Sequence, residues 1–125
     1  MRIPAAAITK RQKYRRVIFV SSADSVRGPM AAELLRNQEL EQEYVIDSMG
    51  MVVLFPEPAN QKAEAIMKSA QMTLEGHVSR QFAGEGLQDD TLILTVDGNQ
   101  KEKILAEFDN LKNVYKMIDG VGDDT

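Results

Sequence analysis

The chain has 125 residues, 43% hydrophobic and 27% charged, the size and composition of a single soluble globular domain with one core. It has no cysteine, which excludes disulfides, thiolate metal sites and thiol nucleophiles together, and its one histidine, His77, excludes a histidine-rich metal site. The net charge of −4 hides an asymmetry: residues 1–16 hold Arg2, Lys10, Arg11, Lys13, Arg15 and Arg16 without an acid, +6 against −10 for the remainder.

No apolar run approaches the ~18 residues that span a bilayer, and no secretory leader pattern is visible, so the cytoplasm is the expected compartment. Asp89–Asp90 and Asp123–Asp124 read as solvated loop ends. Neither a metal nor any other cofactor is expected.

Residues 1–16 join an apolar patch, Ile3–Ile8, to the basic run. A basic arm on an acidic body is a candidate surface for nucleic acid or acidic lipid. Only Tyr14 offers a ring there, which gives base stacking little support. The plainer reading is a solvated extension that ends where the first strand begins, with the folded domain at 17–125. Neither nucleic acid nor membrane is the expected partner.

Val17–Val20 suits a buried strand. Ser21 to Gly28 is too short to be anything but a tight loop, and Pro29 sits in the first turn of a helix. That helix is predicted to run to about Glu41, with Met30, Ala31, Leu34 and Leu35 on one side. Strand, loop and helix so arranged point main-chain N–H groups into one small space at the positive end of a helix dipole. Such a loop is an anion site by construction, and Arg27 adds a planar fork of donors suited to phosphate. Most strand-loop-helix junctions bind nothing, and the Gly-x4-Gly-Lys pattern of nucleotide triphosphate loops is absent.

Tyr44–Ser48 reads as a second strand, and Met49 to Pro58, punctuated by Gly50, Pro56 and Pro58, as a structured loop. Ala59–Met72 has helical spacing, with Ala63, Ile66, Met67 and Ala70 on one side. Thr73 to Phe82 is a connection carrying His77. Leu92–Val96 is the clearest strand, followed by a helix over about Asn99–Phe108 with Ile104, Leu105 and Phe108 inward. Val114–Ile118 makes a fourth strand. Alternating strands and helices predict a parallel sheet with helices on both faces. The loops after the strands, with Ser21–Gly28, Ser48–Met49, Asp97 and Asp119, then share one sheet edge.

Five segments in order, Val17–Met30 with its Ser21-x5-Arg27 spacing, Ser48-Met-Gly50, Gly76-His-Val-Ser-Arg-Gln-Phe82, Leu92–Asp97 and Lys101–Leu105, resemble the low-molecular-weight protein tyrosine phosphatases. The resemblance runs from about Arg16 to Gly120. It implies an α/β three-layer sandwich with a four-stranded parallel sheet. It also implies that residues Ser21, Ser22, Ala23, Asp24, Ser25, Val26 and Arg27 form the phosphate-binding loop. By the same resemblance Ser21 occupies the nucleophile position, Arg27 clamps phosphate and Asp119 is the general acid. Asp24, Ser48 and His77 take the places of residues that support the loop, which predicts an Asp24–His77 contact.

The departures are informative. The family's nucleophile is a cysteine, whose thiol with a pKa of ~8.5 such a loop readily turns into a thiolate. A serine hydroxyl needs an adjacent base instead, and a loss of ~4 kcal/mol in barrier lowering costs about a thousandfold in rate. Val26 replaces a second loop cysteine, Gly28 a hydroxyl residue and Asp24 an asparagine. Asp119 lacks the following proline, Phe55 is the one remaining candidate for an aromatic wall, and the family's last helix is missing. Ile3–Ile8 or a second copy of the chain would then cover an apolar strip of the sheet.

The expected function is a phosphate or phosphate-ester binder, with a phosphotyrosine protein as one candidate ligand and impaired catalysis. The alternatives are a working phosphatase, slow through Ser21 or natively a cysteine enzyme, and a non-catalytic interaction module using the basic arm. The sugar-phosphotransferase B domain shares the architecture, but Gly76–Phe82 favours the phosphatase family.

Overall fold

Val17–Val20 are buried to the last residue because β1 (Arg16–Ser21) is an interior strand with a neighbour on each side. A run covered on both faces has no reason to alternate with polar residues. The computed structural model describes residues 14–84, 87, 89–96, 100–107 and 113–116. Four strands lie in the order β2 (Val45–Gly50), β1, β3 (Thr91–Thr95) and β4 (Val114–Lys116), every pair parallel.

The two-residue period of β1 divides the core. Val17 and Phe19 pack with Leu92, Leu94 and Tyr14 beneath Ala31, Ala32 and Leu35 of α1 (Arg27–Arg36). Ile18 and Val20 turn the other way, to Ile93, Val114, Phe82 and Ile104 of α3 (Gln100–Glu107). A second helix on the first face, α2 (Gln61–Ser69), buries Ala63 and Met67 against Leu74, with Met30 and Leu34 of α1 alongside. The fold is thus a four-stranded parallel sheet with helices packed on both faces, as expected.

Several boundaries and faces differ from expectation for local reasons. α1 ends at Arg36, not Glu41, because Asn37 closes it: its amide N–H bonds to Glu33 O and Leu34 O, and its side chain donates to Glu33 O at 2.8 Å. α2 starts after Asn60, whose Oδ1 accepts from the N–H groups of Lys62 and Ala63. It stops at Ser69 in a Schellman turn, with Gln71 at φ 65°, Gln71 N–H on Lys68 O and Met72 N–H on Met67 O. Ala63 and Met67 set the buried face of α2, which leaves Ile66 pointing outward; Ala70 and, on α3, Leu105 are exposed as well. Met49 and Gly50 belong to β2 itself and not to the loop after it.

Tyr14 is 1% exposed and belongs to the core, so its ring is not offered to a base. Its hydroxyl donates to Asn113 Oδ1 at 3.2 Å. Burial, with Tyr115 beside it, raises its pKa to about 12. Asp97, Phe108, Asp119 and the Ile3–Ile8 patch lie outside the described residues.

Candidate functional site

β1 delivers its last residue, Ser21, buried, to the start of the loop, and α1 begins six residues later at Arg27. Between them the chain reverses through Asp24, at φ 57°. This left-handed conformation is one that aspartate and asparagine tolerate better than other non-glycine residues. The N–H of Asp24 turns back onto Ser21 Oγ at 3.0 Å. The N–H groups of Ser22, Ala23, Ser25, Val26 and Arg27 meet no acceptor among the described residues. Val26, the residue before α1, supplies no side-chain cap, and the first turn holds no acid. A row of open donors at a helix N-terminus is what an oxyanion needs. Arg27 is exposed and pairs with no carboxylate among the described residues.

The loop rests on β2 and on the segment that carries His77. Met51 N–H bonds to Ser21 O, Val52 N–H to Ser22 O and Asn60 N–H to Ser25 O. Gly50 lies directly beneath: a Cβ there would stand 2.8 Å from the carbonyl carbon of Ala23 and 2.9 Å from Asp24 N, so no side chain fits. Gly50 also pairs with Gln81, donating to Arg80 O and accepting from Phe82 N–H. His77 Nε2 lies 2.7 Å from the main-chain oxygen of Asp24, and since a carbonyl only accepts, that nitrogen carries the proton. Arg80 N–H donates to Asp24 Oδ2 at 2.9 Å.

Asp24 is the electrostatic centre of this arrangement. Its side chain is completely buried, and Oδ1 makes no hydrogen bond of good geometry. Burial pushes the carboxyl above the usual carboxylate range. The Ser48 hydroxyl, the Arg80 N–H and the charges of His77 and Arg80 pull it part of the way back. His77 Nε2 is 3.6 Å from Oδ2, close enough for charge to be felt but not for a hydrogen bond.

The structure therefore brings Ser21, Asp24, Ser48 and His77 together, and leaves Arg27 at the rim. Asp119 lies outside the described residues. Phe55 is 71% exposed on the loop that follows β2. Five residues take supporting parts that the sequence did not assign to them. Gln100, buried at the start of α3, donates from Nε2 to Ser22 Oγ at 3.1 Å, while its Oε1 has no partner among the described residues. Gln81 clips the Met51–Val53 turn, donating to Met51 O and accepting from Val53 N–H. Arg80 and Arg16 share Asp47. Glu64 accepts from Leu74 N–H and Thr73 Oγ1, which lowers its pKa and ties the His77 segment to α2. Helical period would mark Glu64 as merely solvated. Its use is visible only once Leu74 is folded beside it.

A cleft of about 430 Å³ lined by Pro29, Glu33, Arg36, Ser48, His77 and Arg80, among others, includes no residue of the Ser21–Val26 loop. It is separate from the anion site. No group of histidines and carboxylates able to hold a metal occurs among the described residues.

A family model described as low molecular weight phosphotyrosine protein phosphatase matches residues 16–123. The low molecular weight protein-tyrosine-phosphatase Wzb of Escherichia coli K12 is 28% identical over 91 residues, 73% of this chain and 60% of Wzb. The chain thus spans less than two thirds of that curated relative's length. A low molecular weight protein tyrosine phosphatase from T. tengcongensis superposes with a TM-score of 0.75 at 20% identity, covering 87% of this chain and 77% of that one. The YwlE arginine phosphatase from Geobacillus stearothermophilus gives 0.72 at 26%, covering 82% and 66%. A cysteine-to-serine YwlE arginine phosphatase mutant with a phosphorylated active site serine gives 0.71 at 24%, covering 81% and 68%.

Proposed function

Since the chain belongs to the low molecular weight phosphotyrosine protein phosphatase family, we propose that it binds phosphate or a phosphate ester in the Ser21–Arg27 loop, with Arg27 as the clamp, and turns over little or none of it. One observation carries the reading. Among the described residues the loop keeps its N–H groups without acceptors beside an Arg27 with no carboxylate partner, yet the chain has no cysteine to attack phosphorus. The only imidazole is committed to the carbonyl of Asp24 and does not contact Ser21 Oγ. Impairment follows from that chemistry: a hydroxyl without a histidine base is a poor nucleophile at neutral pH.

The ligand class is a phosphomonoester, with a phosphotyrosine-bearing protein as one member, and the compartment is the cytoplasm. No helix among the described residues is long and apolar enough to cross a membrane. Asp119 takes the place of a leaving-group acid in this reading.

A second reading has its own support. The phosphorylated serine of the YwlE mutant is precedent for a loop serine that accepts a phosphoryl group and keeps it. On this view Ser21 reacts once, slowly.

Calorimetric titration with inorganic phosphate tests the first reading. Weak binding that Arg27→Ala abolishes is expected, and absence of heat at millimolar phosphate would overturn it. Ser21→Cys, assayed beside the parent on an aryl phosphate, separates a missing nucleophile from a damaged scaffold: turnover by the cysteine form alone is expected.

A further inference from the structure

A serine in this loop needs a base, and no histidine supplies one. The carboxylate of Asp24, next to it, does have the chemistry. Asp24 Oδ2 is occupied by Arg80 N–H, whereas Oδ1 is buried without a well-formed hydrogen bond. Ser21 Oγ accepts from Asp24 N–H, and its own hydrogen donates to nothing among the described residues. A hydroxyl has one hydrogen to give and a carboxylate has lone pairs to receive it. Both oxygens border the bare Cα of Gly28: a Cβ built there would lie 2.9 Å from Ser21 Oγ and 3.6 Å from Asp24 Oδ1. Glycine therefore leaves open the one place where a side chain would stand against both. A hydroxyl hydrogen without an acceptor, a carboxylate oxygen without a well-formed hydrogen bond among the described residues, and the bare Cα beside both are three observations about one small volume.

We infer that Asp24 is the general base for Ser21, receiving the hydroxyl proton on Oδ1 across the open face of Gly28, so that Ser21 accepts a phosphoryl group and holds it. This rests on the loop binding phosphate esters, as proposed above. In the step, the Oγ–P bond forms as the Oγ–H proton passes to Oδ1, and the P–O bond to the leaving group breaks. The electron pair of that bond departs on the leaving oxygen. A nitrophenolate leaving group is stable at neutral pH without a proton from the protein. The proton on Asp24 is later lost to solvent.

The two departures from the family's loop then belong together. A thiolate needs no base, and the amide of an asparagine could not serve as one. An oxygen nucleophile needs a base, and a carboxylate at position 24 provides it. The charged and polar groups facing that carboxylate are His77 and Arg80 from the 73–82 segment and Ser48 from β2. Burial leaves the carboxyl a stronger proton acceptor than a solvated aspartate, which suits a base working near neutral pH.

The test incubates the full chain with nitrophenyl phosphate across about pH 5 to 8, following intact mass and mapping the modified peptide. Expected are one phosphoryl group on Ser21, none on Ser21→Ala, and an initial rate that drops about a hundredfold in Asp24→Asn, a typical contribution of a general base. The ratio of parent to Asp24→Asn rates should fall as the pH is lowered and the carboxylate is protonated, which a purely structural Asp24 would not produce. Gly28→Ala, which crowds Ser21 Oγ, should also slow the label. Asp24→Asn labelling at the parental rate, a pH-independent ratio, or a parent that binds inorganic phosphate in calorimetry yet never labels would each overturn the inference. A parent that shows neither label nor phosphate binding would instead defeat the binding reading, and the inference with it.

Discussion

His77 Nε2 holds the main-chain oxygen of Asp24 at 2.7 Å, so the one imidazole in the chain braces the loop at its left-handed residue and does not reach the nucleophile position. The distinction decides what the histidine does. A base must have a free lone pair for the proton that it removes, and this nitrogen is already protonated and already donating.

Replacing His77 by alanine leaves a carbonyl in a largely buried setting without its donor. The expected loss is about 1–3 kcal/mol of stability, read as a lower urea midpoint with an unchanged slope. Phosphate binding should weaken with it, because the loop's left-handed turn loses its brace.

Asp24→Asn should stabilise the fold at neutral pH, and the gain should disappear in acid. The folded chain holds the Asp24 proton to higher pH than the unfolded chain, whose value is about 3.8. The fold is therefore penalised progressively as pH rises above that value, and the penalty is complete above the folded pKa. Asparagine keeps an acceptor for Arg80 N–H and carries no charge to bury. A higher Tm near neutral pH, with the difference shrinking to nothing in acid, is the expected pattern in a pH series of thermal melts.

Gly50→Ala should be among the most damaging single-methyl additions. Its Cβ would meet Val53 Cγ2 at 2.7 Å and main-chain atoms of Ala23 and Asp24 at 2.8 and 2.9 Å. A side chain can rotate away, but the loop backbone cannot without giving up its shape. The expected cost is about 2–3 kcal/mol, measured by denaturant unfolding, together with loss of phosphate binding.

Arg27→Ala should do the reverse, sparing stability and removing the ligand. The side chain is exposed and unpaired among the described residues, so Tm should stay within about 1 °C. Losing a charge-assisted contact worth about 1.5–3 kcal/mol weakens phosphate binding by about 10- to 100-fold. Arg27→Lys should restore only part of it, since a point charge lacks the planar fork.

Tyr14 should titrate near 12, and its buried phenol should penalise the fold in alkali. The unfolded chain loses this proton near pH 10 and the folded chain near 12, so stability falls across that interval. An ultraviolet difference titration of the folded protein, compared with the same titration in urea, would show the separation. A phenol ionising at 10 in both would contradict the burial.

Much of the fold was legible because its elements obey simple periods. Val17–Val20 announced an interior strand, and Leu92–Leu94 another, since only strands covered on both faces carry such unbroken runs. Element ends were less visible, because they depend on single hydrogen bonds. Asn37 folding back on Glu33 shortened α1, and Gln71 entering a left-handed turn shortened α2. The outward position of Ile66 follows from helix phase, since Ala63 and Met67 take the buried face. At the site, the spacing Ser21-x5-Arg27 pointed to the loop and His77 to its support. Gln100 and Glu64 were opaque, because a surface-type residue reveals its use only beside its distant partner, 78 positions away in the case of Gln100 and Ser22.

The cradle under Ser21 is cast mostly in main-chain hydrogen bonds, from Met51, Val52, Asn60, Gly50, Arg80 and Phe82. Such a mould constrains glycine at position 50 but is indifferent to what reactive atom hangs inside it. Drift could therefore erase one chemistry and install another without first dismantling the vessel, and kinship of shape here should be read as kinship of container, with the contents settled locus by locus.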